Sequence, residues 1–438
     1  MNNIEYVLDF ATKIARELIL SGANLERVRM TIMKICNAYE LDNISLHSLS
    51  TFISVSATDS KTGEYSQRQI SIQSSFSLNL DRLKALNNLS YEIVRDIPNA
   101  ALLDEKLESI NHNTYPWWVT FLGYILAMSC LSRIFGATYR ELIVAIFNTV
   151  LLYFLSKLFS KIKLNHIIRN FVATFITGSL TILFFKIELI TNFYVTIITS
   201  ALYLLPGVAM VNSARNILCG NEMNGIIELL KVILEVIVIV AGIASAFFLF
   251  GSSLPNLEDS IVVREGLLHD IELIGLSLLA SFGFSIVFNI NPKDLAFGAM
   301  GGLIIRITII LLSHLTSYRI LYTVIAAFFA ALYSEILANI KKEPSTLYLY
   351  PSIIPIIPGD LLYYSMLGVV WANGTLFMEN ALQCLLVLAG ISFGFVLCSS
   401  FMHYVRRIKF RKLLESIKIQ PKTKLKEEEV KENEKVNS

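Results

Sequence analysis

LYPSIIPIIPGDLL, Leu349–Leu362, sets three prolines (Pro351, Pro355 and Pro358), a glycine and an aspartate inside an otherwise apolar run. It has an upstream counterpart. ALYLLPGVAMVNSARN, Ala201–Asn216, carries Leu-Leu-Pro-Gly where the later stretch carries Ile-Ile-Pro-Gly, so Pro206-Gly207 and Pro358-Gly359 read as equivalent points of a duplication. A proline inside a helix removes a backbone hydrogen bond and clashes with the preceding turn, and glycine lets the chain unwind. At membrane depth such a break is tolerated where protein covers it or where it lines a cavity, and its freed carbonyls and amides can then meet a polar substrate. The bland alternative is that each proline simply kinks a membrane helix; two breaks at matching places argue against it.

Composition decides the environment. The 438 residues are 54% hydrophobic and 16% charged, against about 25% charged in soluble domains. Mean hydropathy is +0.58. From Tyr115 onward each apolar run approaches the roughly 20 residues a helix needs to cross hydrocarbon. Ten spans are expected: 116–135, 141–159, 167–185, 189–210, 226–250, 271–290, 295–313, 320–340, 348–372 and 381–403. The 37 basic and 35 acidic residues crowd into the N-terminal region, the C-terminal tail and short loops, and nucleic acid is not expected as a partner. The five cysteines are scattered without a CxxC pair, which offers neither a disulfide framework nor a metal site. No cofactor is expected.

Before the spans lies a polar stretch read as a small cytosolic α/β domain, residues 1–113. Ile4, Val7, Leu8, Ala11, Ile14, Ala15 and Leu18 form one helical stripe ending at Ser21-Gly22, and Asn24 is placed to cap a second helix bearing Leu25, Val28, Ile32, Ile35 and Tyr39. Ile44–Thr58 and Gln67–Leu78 read as a hairpin, followed by a helix from about Asp81. The N-terminus has no continuous apolar core of the secretory kind. Short loops rich in Lys and Arg (Lys157, Lys161, Lys163 and Arg169; Lys293; Lys341 and Lys342; Arg406 onward) alternate with poorer ones, which puts both termini in the cytosol of a cell-membrane protein. The tail, 406–438, reads as disordered or as a solvated helix.

The spans divide as 114–250 and 251–405, five in each, with the Pro-Gly break in the fourth span of each set. An odd number per set turns the second copy upside down. The expected fold is therefore a multi-span α-helical membrane protein of two inverted five-helix repeats, the arrangement used for alternating access.

Four segments, LILSGANLERVRMTIMKICNAYEL (Leu18–Leu41), LLPGVAMVNSARNILCGNEMNGI (Leu204–Ile226), FSIVFNINPKDLAFGAMGGLIIR (Phe284–Arg306) and PSIIPIIPGDLLY (Pro351–Tyr363), resemble in order and spacing the threonine/serine exporter family. The resemblance implies a proton-driven exporter of small amino acids whose two parts, separate chains in some relatives, are fused. Relatives linked to dicarboxylates such as succinate give the alternative substrate. Two residues depart from the family pattern: Asn216, where an acid is common, and Asp360, where a small residue is usual.

A charge near the bilayer centre costs about 3 kcal/mol on insertion scales, so it needs a partner or a role. Pro206, Gly207, Asn212, Arg215, Asn216, Arg306, Pro358, Gly359 and Asp360 are the candidate substrate-binding residues, with Asp360 and Glu335 as proton carriers. Structural alternatives stand beside them. Asp360 would cap the half-helix after the break; Arg306 and Glu335 would neutralise each other; Arg215 would be an ordinary positive loop residue. Glu228, Lys231 and Glu235 share a helix face near a span end. Gly298, Gly301 and Gly302 read as close helix packing, and His47 as a surface strand residue. The partners implied are a small-molecule substrate, protons and lipid, with the oligomer left open. A second class of function, a membrane-anchored sensor or enzyme in residues 1–113, would not need ten spans.

Overall fold

A computed structural model describes residues 3–49, 52–72, 78–110, 114–162, 164–250, 266–371 and 373–436. The expected loop around 251–265, the exit at 111–113 and the end of the Gln67–Leu78 run at 73–77 lie outside the described residues.

The N-terminal region begins with α1 (Asn3–Leu20) and α2 (Leu25–Ala38). Asn24 caps α2 as expected, its side chain accepting from the Arg27 amide at 2.9 Å. Every residue of the predicted α1 stripe is at most 2% exposed. The expected hairpin is instead a three-stranded antiparallel sheet, β1 (Leu41–Leu49), β2 (Phe52–Asp59) and β3 (Tyr65–Ser71), in that order. Leu49 pairs with Phe52, so the first run doubles back where no Gly or Pro announces a turn. Helix α3 (Leu80–Asp96) starts from Asn79, whose side chain accepts from the Arg82 amide at 3.0 Å, and α4 (Leu103–Glu108) follows.

The rest is a bundle: α5 (Trp117–Ile134), α6 (Tyr139–Lys161), α7 (His166–Lys186), α8 (Phe193–Leu202), α9 (Gly207–Leu218), α10 (Glu222–Phe250), α11 (Leu267–Val287), α12 (Leu295–Ser313), α13 (Arg319–Lys341), α14 (Thr346–Ile353), α15 (Gly359–Val370) and α16 (Gly374–Val436). Among the described residues eight helices are long and apolar enough to cross a membrane, ten spans if each bent pair counts as one. The bent pairs are α8 with α9, at 69°, and α14 with α15, at 50°. They fall on the two Pro-Gly sites. Pro351 does not break its helix and sits inside α14, which ends at Ile353; a short 3-10 turn carrying Pro355, Ile354–Ile356, then leads to the break at Pro358-Gly359. The last span starts earlier than expected, at Gly374, and its helix continues into the tail.

Helix neighbours recur across the bundle. α7 packs on α10 as α13 packs on α16; α6 touches α8 as α12 touches α14; α9 lies on α16 as α15 lies on α10. Small residues permit the closest approaches. A Cβ on Gly301 would overlap Ser352 Oγ, and one on Gly302 would overlap Ser281 Oγ, so the glycines of α12 serve packing against α14 and α11.

The N-terminal region is seated on one face of this bundle. Leu80 and Asp81 amides donate to the carbonyls of Phe288 (2.9 Å) and Asn289 (3.1 Å), continuing the chain's hydrogen bonding across the junction. Lys84 bridges Asp294 (2.9 Å) and Glu343 (2.6 Å), and Lys341 holds the other Asp294 oxygen at 2.5 Å. The apolar core runs unbroken from α1 through Tyr350 into the bundle.

Candidate functional site

Both breaks have one geometry. Pro206 has φ −79° and ψ 59°, and Pro358 has φ −79° and ψ 58°. In each, the following glycine amide donates to the carbonyl two residues back, Gly207 to Leu205 and Gly359 to Ile357, both at 2.8 Å. These are inverse γ-turns, for which the proline ring already supplies φ. Ile357 is extended, φ −63° and ψ 126°, as the residue before a proline prefers.

The two turns abut. A Cβ on Gly207 would stand 3.0 Å from Ile357 Cδ1, and one on Gly359 would stand 2.7 Å from Leu202 Cδ2. A cavity of about 350 Å³ opens beside them, lined by Tyr124, Tyr203, Pro206, Gly207, Ile357 and Gly359 among mostly apolar side chains.

The polar residues flank the breaks in two separate groups, because α9 leads from its break toward the N-terminal region and α15 leads from its break away from it. In the first group Asn212 Nδ2 donates to the Tyr350 hydroxyl at 3.2 Å, and that hydroxyl donates to the Gly22 carbonyl at 3.0 Å. Asn216 Nδ2 donates to Glu228 at 2.9 Å, and the Arg215 guanidinium lies 5.9 Å from the Phe395 ring centre.

In the second group Arg306 Nε donates to Ser277 Oγ at 2.8 Å, and its Nη2 reaches the Pro355 carbonyl at 3.5 Å. That carbonyl belongs to the broken turn, where helix geometry no longer supplies a donor. Among the described residues no carboxylate lies within 4 Å of Arg306. Asp360 lies in the first turn of α15, where among the described residues no backbone amide donates to its carboxylate, and it faces Arg319 at 3.7 Å. Tyr322 is within electrostatic range of Arg306, Arg319 and Asp360.

Arg306 and Glu335 do not neutralise each other. Glu335 pairs with Arg406 at 3.1 Å, its side chain 30% exposed, in a polar vestibule of about 880 Å³ between α3 and the ends of α13 and α16. The structure thus joins Asn212 to Tyr350 and Arg306 to the second break, but keeps the first group apart from Arg306 and Asp360. His47 is exposed on β1, beside Ser45 Oγ at 3.1 Å.

Several site residues were not legible in the sequence. Tyr350 looked like one apolar aromatic among many, and Arg319 like a span-flanking charge. Asp294 carried the one usable signal, an acid at the mouth of a span. Burial alone would raise its pKa, but the Lys341 and Lys84 ammonium groups outweigh that and hold it below the usual carboxylate range.

Residues 9–250 match a family model described as "Putative threonine/serine exporter", and residues 274–401 match a second one, described as "Threonine/Serine exporter, ThrE". No curated protein and no solved structure matches the chain.

Proposed function

The chain belongs to the threonine/serine exporter family, and from that premise we propose that it exports threonine, serine or similar small amino acids by proton-coupled alternating access. The observation that carries this reading is Arg306: a guanidinium set against a carbonyl freed by a broken helix, without a carboxylate of its own among the described residues. A substrate carboxylate would supply the missing charge through two parallel hydrogen bonds. Asp360, across from Arg319, would take the substrate ammonium or the transported proton, and Glu335 would exchange protons at the N-terminal face.

Inverted repeats of 114–250 and 251–405 are part of this proposal. Matching proline dihedrals and the recurring helix neighbours support them. Exchange between two such halves would make the inward-open and outward-open states counterparts. The proposal also puts both termini and residues 1–113 in the cytosol of a cell-membrane protein.

A dicarboxylate is the second reading, favoured by two guanidiniums on the side of the second break: Arg306, with no carboxylate within 4 Å among the described residues, and Arg319, which faces Asp360 at 3.7 Å. Counterflow in proteoliposomes with labelled threonine against labelled succinate separates the two. Threonine exchange with succinate excluded is the expected result; succinate preferred over threonine would favour the second reading.

A further inference from the structure

The vestibule of about 880 Å³ has one wall from the N-terminal region, where Arg27 of α2 and Asn88 of α3 line it, and one from the bundle, where Lys342, Ser345 and Arg406 line it. Its carboxylates are already engaged: Glu335 with Arg406 at 3.1 Å, Glu343 with Lys84 at 2.6 Å and Glu92 with Lys106 at 2.6 Å. Two cations on its walls are left over. Among the described residues no carboxylate lies within 4 Å of Arg27 or of Lys342, and the half-buried Arg27 guanidinium makes one hydrogen bond, to Asn87 Oδ1 at 3.2 Å. The cavity thus offers unanswered positive charge from both of its walls, with the Asn88 amide and the Ser345 hydroxyl as further donors. That is the chemistry of an anion site.

Its position narrows the class of anion. Arg406 joins α16 to α13, donating to Glu335 and, at 3.4 Å, to Asn339 Oδ1. The same ends of these two helices carry large apolar side chains without cover: Ile336 is 48% exposed, Ile340 73%, Tyr404 65% and Ile408 38%. Both helices are long and apolar enough to span a membrane, so their outer surface faces acyl chains, and their ends lie where hydrocarbon gives way to headgroups. Tyr404 suits that level, as interfacial aromatic residues do. A soluble anion would use the charge of the vestibule and leave its apolar rim idle. An anionic lipid uses both, and basic pockets between membrane helices are the kind of place that holds such headgroups.

We propose that the vestibule binds the phosphate headgroup of one anionic phospholipid from the leaflet on the N-terminal side, with Arg27 and Lys342 on the phosphate and the acyl chains along the exposed ends of α13 and α16. Because Arg27 belongs to the N-terminal region and Lys342 to the bundle, the lipid would tie the two together. The site is separate from the breaks and from Arg306, and it stands or falls independently of the substrate that is exported.

The test is binding of labelled dioctanoyl phosphatidylglycerol to the purified full-length chain in mixed micelles of a neutral detergent. Saturable binding is expected, displaced by unlabelled phosphatidylglycerol but not by phosphatidylcholine with the same chains or by glycerol phosphate at the same concentration. Arg27→Gln and Lys342→Gln should each weaken it at least about tenfold, the loss of one hydrogen-bonded charge, and Lys342→Arg should retain it. Lys161→Gln, which removes an exposed cation at the end of α6, should leave it unchanged. The Lys342 side chain makes no hydrogen bond or ion pair among the described residues, so Lys342→Gln tests the site even if Arg27→Gln, by releasing Asn87, fails to fold. Displacement by glycerol phosphate would show a site for soluble phosphate and overturn the lipid. Equal displacement by phosphatidylcholine, equal weakening by Lys161→Gln, or undiminished binding by Lys342→Gln would reduce the interaction to general lipid or surface-charge attraction and overturn the site, as would the absence of saturable binding by wild type.

Discussion

Gly359 lies directly against Leu202, so close that a Cβ on the glycine would come within 2.7 Å of Leu202 Cδ2. One broken helix is thereby keyed into the other. Gly359→Val should cost about 1–3 kcal/mol of overpacking at the crossing and reduce transport at least tenfold. Leu202→Ala in the same chain should restore part of it. Initial rates in proteoliposomes check this; a Gly359→Val protein at wild-type rate would show that the breaks do not need to touch.

Gly301 offers a contrasting case, because its neighbour Ser352 belongs to packing between α12 and α14 rather than to a break. Gly301→Val should lower the melting temperature of the purified protein, by an amount equivalent to about 2 kcal/mol. The half-saturating substrate concentration of the folded fraction should stay unchanged. A large shift in that concentration at unaltered melting temperature would move Gly301 into the substrate path.

The junction between the N-terminal region and the bundle should depend on pH only at the extremes. Asp294 has its pKa depressed, so the stability it contributes is present above about pH 4 and lost as pH falls through its lower folded value. For Lys84 burial acts downward, but Glu343 and Asp294 outweigh it and raise the pKa. Its contribution is complete below about pH 10.5 and lost as pH climbs through the raised folded value. Hydrogen exchange of α3 should therefore be flat between about pH 5 and 10 once corrected for intrinsic rates. Asp294→Asn should speed it by an amount equivalent to about 2 kcal/mol, the scale of hydrogen bonds to a charged group. Unchanged protection in that variant would leave Leu80 and Asp81 amides as the main tie.

The reach of the sequence was set by the kind of signal each feature leaves. Span positions follow from apolar length, and the breaks from Pro-Gly, since each is a local backbone property. The α1 stripe was equally readable, because periodicity reports burial directly. Long-range pairing leaves no such mark. Nothing near Glu335 announces Arg406, and nothing near Tyr350 announces Gly22, 328 positions away. The pairing of Leu49 with Phe52 was hidden because the sequence between them holds no Gly, Pro or Asn. Pro351 shows that a proline alone does not fix a break: it sits within α14, where the helix accommodates it without ending.

The coupling role of Asp360 and the substrate meet in one measurement: counterflow of labelled threonine in proteoliposomes, with and without a pH gradient, for wild type and Asp360→Asn. The account predicts threonine exchange by wild type that the gradient stimulates, and exchange without gradient stimulation by Asp360→Asn. Full gradient-dependent transport by Asp360→Asn would contradict the coupling role, and no threonine exchange by wild type above empty liposomes would contradict the exporter itself.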